Sequence, residues 1–216
     1  MKKNLTKNQL RRLPEYLNLL KNLSASGSKV ISCQTIADTL NLNKELVRKD
    51  VALVSSIDGV PNKGRDICLL IKDIEKVLGY DDSHNAVLVG VGSLGRALLG
   101  FKGFSDFGLK IVCAFDTKQS LVDTKINGIQ VYDSHRMFLT IHDLNAHIGI
   151  ICVQESKAQE VADELVNCGI EAIWNFAPIQ IETKKDIIVS NMNMAESLAV
   201  LSHQLYLKKK GKKEKK

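Results

Sequence analysis

The 216-residue sequence predicts an α/β chain in two parts, a small helical N-terminal part followed by a parallel sheet wound with helices. Three observations predict it. Apolar residues between 8 and 55 recur at the three-and-four spacing of amphipathic helices. From residue 86 the apolar residues come instead as continuous runs, AVLVG, KIVCAFD, HIGIICV and IEAIWNF, separated by helical stretches. Buried parallel strands read as such runs, and their alternation with helices marks βαβ units. The charge changes at the same place: residues 1–80 hold 14 Lys+Arg and 8 Asp+Glu, whereas residues 81–207 hold 9 and 15. A basic block joined to an acidic body suggests two modules with different partners.

In the first part, residues 8–23 read as a helix whose stripe is Leu10, Leu13, Leu17 and Leu20. Pro14 fits such a helix only near its first turn. A short helix follows from about Ser32, a suitable N-cap, to Leu40. A second runs from about Lys44 to Ser55, capped by Asn43 with Glu45 in its first turn. Two short helices joined by about three residues form a helix-turn-helix, and the second carries Lys44, Arg48 and Lys49. Lys44 and Arg48 share one face, from which Arg48 can reach a guanine edge, while Lys49 points elsewhere, toward phosphate. Residues 56–70 read as a β-hairpin, the wing of a winged helix, with Lys63 and Arg65 at its tip. The stretch 71–80 is a connecting helix ended by Gly79. The boundary falls at DDSHN, giving a DNA-binding part at 1–80 and a nucleotide-binding part at 81–192.

Gly90-Val91-Gly92-Ser93-Leu94-Gly95 matches G-x-G-x-x-G at the end of a strand and the start of a helix, the context that the dinucleotide-binding Rossmann fingerprint requires. Gly90 permits the tight turn, Gly92 lets a pyrophosphate approach the backbone, and Gly95 lets the helix pack on the strand. The phosphates would sit at the helix N-terminus. Asp116 ends the next strand, 21 residues after Gly95. A carboxylate there accepts from ribose hydroxyls and repels a 2′-phosphate, so NAD(H) is expected over NADP(H). The remaining elements are an apolar helix at 193–207, assigned to dimerisation, and a basic tail at 208–216 expected to be disordered.

Other classes are not supported. The five cysteines form no C-x-x-C pair and no even framework, and no stretch approaches the roughly 20 apolar residues of a membrane span, so a cytoplasmic protein without disulfides is expected. None of the five histidines has a metal-ligand spacing, and neither G-x-S-x-G nor H-E-x-x-H occurs. The length after residue 80 leaves room for one nucleotide-binding domain and none for substrate chemistry. A regulator rather than an enzyme is therefore expected.

Five stretches carry a resemblance: RLPEYL at 12–17, VRKD at 47–50, VLVGVGSLGRALLGFKGF at 87–104, AFD at 114–116 and NFAP at 175–178. In this order they make the sequence similar to the Rex family of bacterial redox-sensing transcriptional repressors. The resemblance implies a homodimer of subunits with a winged helix and a Rossmann domain, the helix at 193–207 being swapped onto the partner. It implies that NADH binding releases an inverted-repeat operator in double-stranded DNA, with NAD+ as competitor. It adds Ser32 and Gly64 to the DNA contacts, and Val153, Asn175 and Pro178 to the cofactor contacts. The sequence departs from the family at Gln154, where a proline is usual. It also departs at Asn18, Phe101 and Asn193, which replace an Arg, a Tyr and an Asp that form a polar switch between subunits. Two alternatives stand beside this reading: a DNA-binding paralogue without NADH sensing, and a small NAD- or CoA-binding enzyme subunit.

Overall fold

A computed structural model describes residues 5–57, 64–183, 186–192 and 194–213. The chain divides into two compact units, Met1–Asp82 and Ser83–Lys216.

In the first unit, helix α1 (Lys7–Ala25) starts at Thr6. The Thr6 hydroxyl accepts from the Gln9 amide N–H while the Gln9 side chain accepts from the Thr6 N–H at 2.9 Å, so two unpaired helix-end donors are satisfied reciprocally. Pro14 consequently lies two turns inside the helix, not in its first turn. The helix survives the lost backbone bond because Leu13, Tyr16, Leu17 and Leu20 bury one face completely or nearly so. Each such side chain contributes about 1.5–3 kcal/mol, together more than the roughly 3 kcal/mol an interior proline costs. Strand β1 (Val30–Ile31) leads into α2 (Cys33–Leu40), capped by Ser32 and ended at Asn41 in the left-handed region. Helix α3 (Lys44–Val54) follows, with the Asn43 side chain accepting from Glu45 and Leu46 N–H.

The expected hairpin within 56–70 is not what forms among the described residues. Strand β2 (Arg65–Asp66) pairs antiparallel with β1, which precedes the helix-turn-helix. The run DICLLI enters helix α4 (Ile67–Leu78) instead. Asp66 caps that helix by accepting from Leu69 N–H at 2.8 Å, and Ile67, Leu70 and Ile74 are buried at three-and-four spacing, a helical period rather than a strand period. Gly79 ends α4 with φ 72°. Lys63 lies outside the described residues.

The second unit is a seven-stranded sheet. In chain order the elements are β3 (His84–Val89), α5 (Ser93–Gly100), a short 3-10 segment at Lys102–Phe107, β4 (Leu109–Asp116), β5 (Lys125–Ile126), β6 (Ile129–Asp133), α6 (Met137–Asp143), β7 (Ile148–Ile151), α7 (Glu155–Asn167), β8 (Ala172–Asn175), β9 (Ile188–Asn191) and α8 (Met194–Lys213). Strand order is β5-β6-β4-β3-β7-β8-β9, parallel throughout except for the β5–β6 hairpin, which turns on Asn127-Gly128 with both φ values positive. The chain runs outward from β3 through β4 to β6, then returns to the other side of β3 for β7 to β9. Where the order reverses, a crevice opens at the carboxyl ends of β3 and β7, the usual ligand position in such sheets. Buried Val87, Phe115 and Ile151 pack on one face and Leu88, Ala114 and Ile150 on the other.

Helix α8 continues through Lys213, so much of the segment expected to be disordered is helical. Lysine is a good helix former, and cations suit the negative end of the helix dipole. No described side chain of α8 is buried: Leu198 and Leu201 are each 62% exposed, and Val200, Leu205, Tyr206 and Leu207 are exposed with them. Among the described residues, no helix is long and apolar enough to cross a membrane.

Candidate functional site

The crevice of the second unit holds a cavity of about 490 Å³ bounded by the ends of β3, β4 and β7. The glycine loop forms its floor. Gly90 has φ 97°, its N–H donates to Phe115 O at 2.9 Å, and a β-carbon on it would lie 2.7 Å from Cys152 O. A β-carbon on Gly95 would lie 2.1 Å from Gly90 O, so the loop and α5 can pack only as glycine. Gly92 differs, since its β-carbon position has no atom within 4 Å and opens on the cavity. Gly92 is also the N-cap of α5 and makes no side-chain cap, which leaves first-turn N–H groups for an anion.

Asp116 is tied into this loop. Its Oδ2 accepts from Val91 N–H at 2.7 Å and its Oδ1 from Lys118 N–H at 2.8 Å. A carboxylate oxygen has two lone-pair sites, so both atoms keep capacity for ribose hydroxyls. Arg96 Nε donates to Val91 O at 3.2 Å and closes the loop from the other side. The loop geometry fits a dinucleotide: open space at Gly92, a carboxylate at the end of β4, and an uncapped first turn of α5.

The far wall comes from residues that the glycine fingerprint does not indicate. Ser134 and Met137 follow β6, and Lys157, Glu160 and Glu164 project from α7 at spacings of three and four. Lys157 Nζ donates to Glu160 Oε2 at 2.8 Å, and that carboxylate raises the lysine pKa. With Asp116, the lining carries three carboxylates, Asp116, Glu160 and Glu164, against one cation, Lys157. Cys152 also lines the cavity, but burial pushes its thiol up to about 12, so it is not a thiolate nucleophile. Among the described residues no His/Cys/Asp/Glu group can hold a metal ion.

In the first unit, α3 exposes Lys44, Arg48 and Lys49. Arg48 Nε donates to Glu45 Oε2 at 2.9 Å, an exposed pair that a phosphate or base edge can displace. Arg48 and Lys49 both border a shallow depression beside Gln9. Ser32 uses its hydroxyl to cap α2, accepting from Thr35 N–H at 3.0 Å. A β-carbon on Gly64 would lie 2.6 Å from Ile31 O, so this glycine permits the β1–β2 approach. Arg65 is half-buried and donates from one nitrogen to Ser55 Oγ at 2.8 Å and to Ile57 O, tying the base of the wing to the end of α3.

Beneath α3 lies a cluster that sequence reading missed. Asp50, 1% exposed, accepts from Arg12 Nε at 2.7 Å and Nη2 at 2.9 Å, from Tyr16 OH at 2.9 Å and from Gln9 Nε2 at 3.3 Å. RLPEYL and VRKD thus meet, and α3 is fixed to α1. Burial raises the Asp50 pKa, but donors from Arg12, Tyr16 and Gln9 outweigh it and hold the group below its usual value. Burial, then the Asp50 hydrogen bond, pushes Tyr16 up to about 12.

Comparison with known proteins now places the chain. Residues 5–51 match the family described as putative DNA-binding protein N-terminus, and residues 81–179 match the CoA binding domain family. A relative from Bacteroides fragilis, named redox-sensing transcriptional repressor Rex, is 40% identical over 91% of this chain and 89% of its own length. The chain belongs to the Rex family. Three crystal structures of a Rex-family repressor, RSP, are similar over the whole fold at 30% identity. RSP with beta-NAD+ and operator DNA gives a TM-score of 0.88 over 99% of this chain and 98% of that one. RSP with beta-NADH gives 0.86 over 98% and 99%.

The positions that Rex resemblance adds divide in two. Val153 lines the cavity. Asn175 is fully buried and spends its amide on the chain itself, with Nδ2 donating to Ile179 O at 2.8 Å and Asn191 Oδ1 at 2.9 Å, and Oδ1 accepting from Ala177 N–H at 2.9 Å. Pro178 is exposed and outside the cavity. Of the fingerprint, Val91 and Gly95 are buried under the loop, and Ser93 and Leu94 are exposed at the start of α5. Asn18 is exposed on α1, and Phe101 is 53% exposed with its ring 4.8 Å edge-on from Phe104. Asn193 lies outside the described residues.

Proposed function

We propose that this chain is a DNA-binding transcriptional repressor that reads the NADH/NAD+ ratio, NADH releasing an inverted-repeat operator. It is a regulator, not an enzyme. The single observation that carries this is the presence in one chain of a helix-turn-helix with exposed Lys44, Arg48 and Lys49 and of a glycine-loop cavity closed by Asp116. The Rex relatives and the RSP structures with operator DNA and with NADH support it.

In the proposed dimer, α8 of each chain crosses to the partner and covers its exposed apolar side chains there. An exposed apolar surface of that extent marks an interface. Two-fold symmetry then sets two α3 helices about one helical turn apart, or a multiple of it, on a palindromic site. Gly90, Gly92, Asp116 and Val153 hold the nucleotide, while Val91, Ser93, Leu94 and Gly95 shape or present the loop. Asn175 fixes the segment after β8, which carries Pro178. Ser32, Lys44, Arg48 and Lys49 meet DNA. Gly64 and Arg65 shape the β1–β2 pair at the base of the wing. When bound, the nicotinamide cofactor serves as a signal and no hydride leaves it.

The experiment is operator binding by the full chain and by Arg48→Ala/Lys49→Ala. Neither residue is buried, so the variant folds, and loss of two contacts is expected to weaken operator binding by more than about 100-fold. Equal binding by both proteins sinks the assignment of α3. Phe101 favours a second reading: its ring has no hydroxyl for a polar inter-subunit contact, and a protein that binds operator and NADH independently is the outcome it predicts.

A further inference from the structure

Residues 1–207 hold 23 Lys+Arg and 23 Asp+Glu, so the entire formal charge of +6 resides in residues 208–216. Helix α8 carries this segment without interruption through Lys213, and Lys208, Lys209 and Lys210 are exposed. Among the described residues no carboxylate pairs with these three. Further lysines follow at 212, 213, 215 and 216. Like charges three and four apart oppose a helix, so this end of α8 gains stability from any array of anions that runs along it.

We infer that the basic end of α8 is a second DNA-contact surface, which takes the phosphate backbone beside the operator without reading bases. The inference rests on the proposed DNA-binding function. The arrangement suits a polyanion better than a lipid surface. A membrane-surface helix sets apolar and basic residues on opposite faces along one length. Here they are consecutive, with Leu198, Leu201, Leu205 and Leu207 first and lysines after. At about 100° per residue, Lys208, Lys209 and Lys210 fan over about 200°, leaving no apolar face between them. Lysine acts as a point charge on phosphate, with affinity that depends on counterion release.

The test compares the full chain with Lys208→Gln/Lys209→Gln/Lys210→Gln. Glutamine matches lysine in helix propensity, and circular dichroism confirms that α8 is retained. Dissociation constants are measured across a salt series on an inverted-repeat duplex and on an unrelated duplex. The expected result is a slope of log K against log salt shallower by about three per chain, and an equal proportional loss of affinity on both duplexes. Unchanged slopes on both overturn the inference. So does an unchanged slope with loss of binding to phosphatidylserine vesicles, which assigns the lysines to a membrane, or with a changed molecular mass, which assigns them to a second copy. Failure of the full chain to prefer the inverted repeat would refute the repressor reading separately, because the slope on the unrelated duplex still reports on the lysines.

Discussion

Asp50→Ala is expected to cost the N-terminal unit about 3–5 kcal/mol, the range found when one member of a buried ion pair is removed. The reason is the number of groups that depend on one carboxylate. Arg12 makes a bidentate pair with it, and the Tyr16 hydroxyl, on a side chain 0% exposed, donates to it at 2.9 Å. Alanine leaves a partly buried guanidinium and a buried phenol without an acceptor, and it removes the polar tie between α3 and α1. Operator affinity is expected to fall with stability, although Asp50 itself is too deep to meet DNA. Urea unfolding at a series of pH values separates this cause from a packing defect. The folded Asp50 pKa lies below the unfolded value of about 4, so its contribution is complete above that value and disappears as pH drops through the folded one. The gap between wild type and Asp50→Ala should therefore narrow in acid, whereas a cavity would leave it constant. For Tyr16 the sign is opposite. Its folded pKa of about 12 exceeds the ordinary value near 10, so its contribution is full below 10 and lost as pH rises through 12.

The second large effect is a contrast between two glycines of one motif. Gly95→Val places a β-carbon where Gly90 O stands 2.1 Å away, backbone against helix, with Leu88 at 3.2 Å behind it. Neither neighbour can give way without moving the loop off β3, and overpacking of this kind costs about 1–3 kcal/mol or more. Both melting temperature and NADH affinity should fall. At Gly92 an added β-carbon meets no atom within 4 Å and the backbone is ordinary, so the melting temperature of Gly92→Leu should be that of wild type. The leucine occupies the space at the start of α5 instead, and NADH binding should weaken by about 100-fold, about 2.7 kcal/mol. Calorimetric titration beside a thermal scan reads both. Normal NADH binding by Gly92→Leu would remove the glycine loop from the cofactor site.

Much of this was legible because the signals are local. Ser32, Asn43 and Gly79 cap helices where the sequence has capping residues, and the strand runs reflect burial on both faces of a parallel sheet. The glycine loop and Asp116 follow from a fixed spacing. The strand pairing at Arg65–Asp66 was not legible because that sheet has two residues per strand, too few to show a period, and the partner strand Val30–Ile31 lies on the other side of the helix-turn-helix. Asp50 looks like a surface charge in VRKD, since its burial is imposed by Arg12 and Tyr16, more than 30 residues earlier. Asn175 reads as a ligand contact in NFAP, yet its amide is consumed by Ala177, Ile179 and Asn191. The far wall of the cavity had a signal, the polar spacing of Lys157, Glu160 and Glu164 on α7, which is also what any solvated helix face looks like.

One measurement bears most directly on the account. A labelled inverted-repeat duplex is saturated with the full chain at fixed salt, and NADH or NAD+ is added while anisotropy reports the bound fraction. Release by NADH at concentrations where calorimetry shows the cavity filling, with much weaker release by NAD+, is the predicted result. A duplex that stays bound while NADH fills the cavity would contradict it.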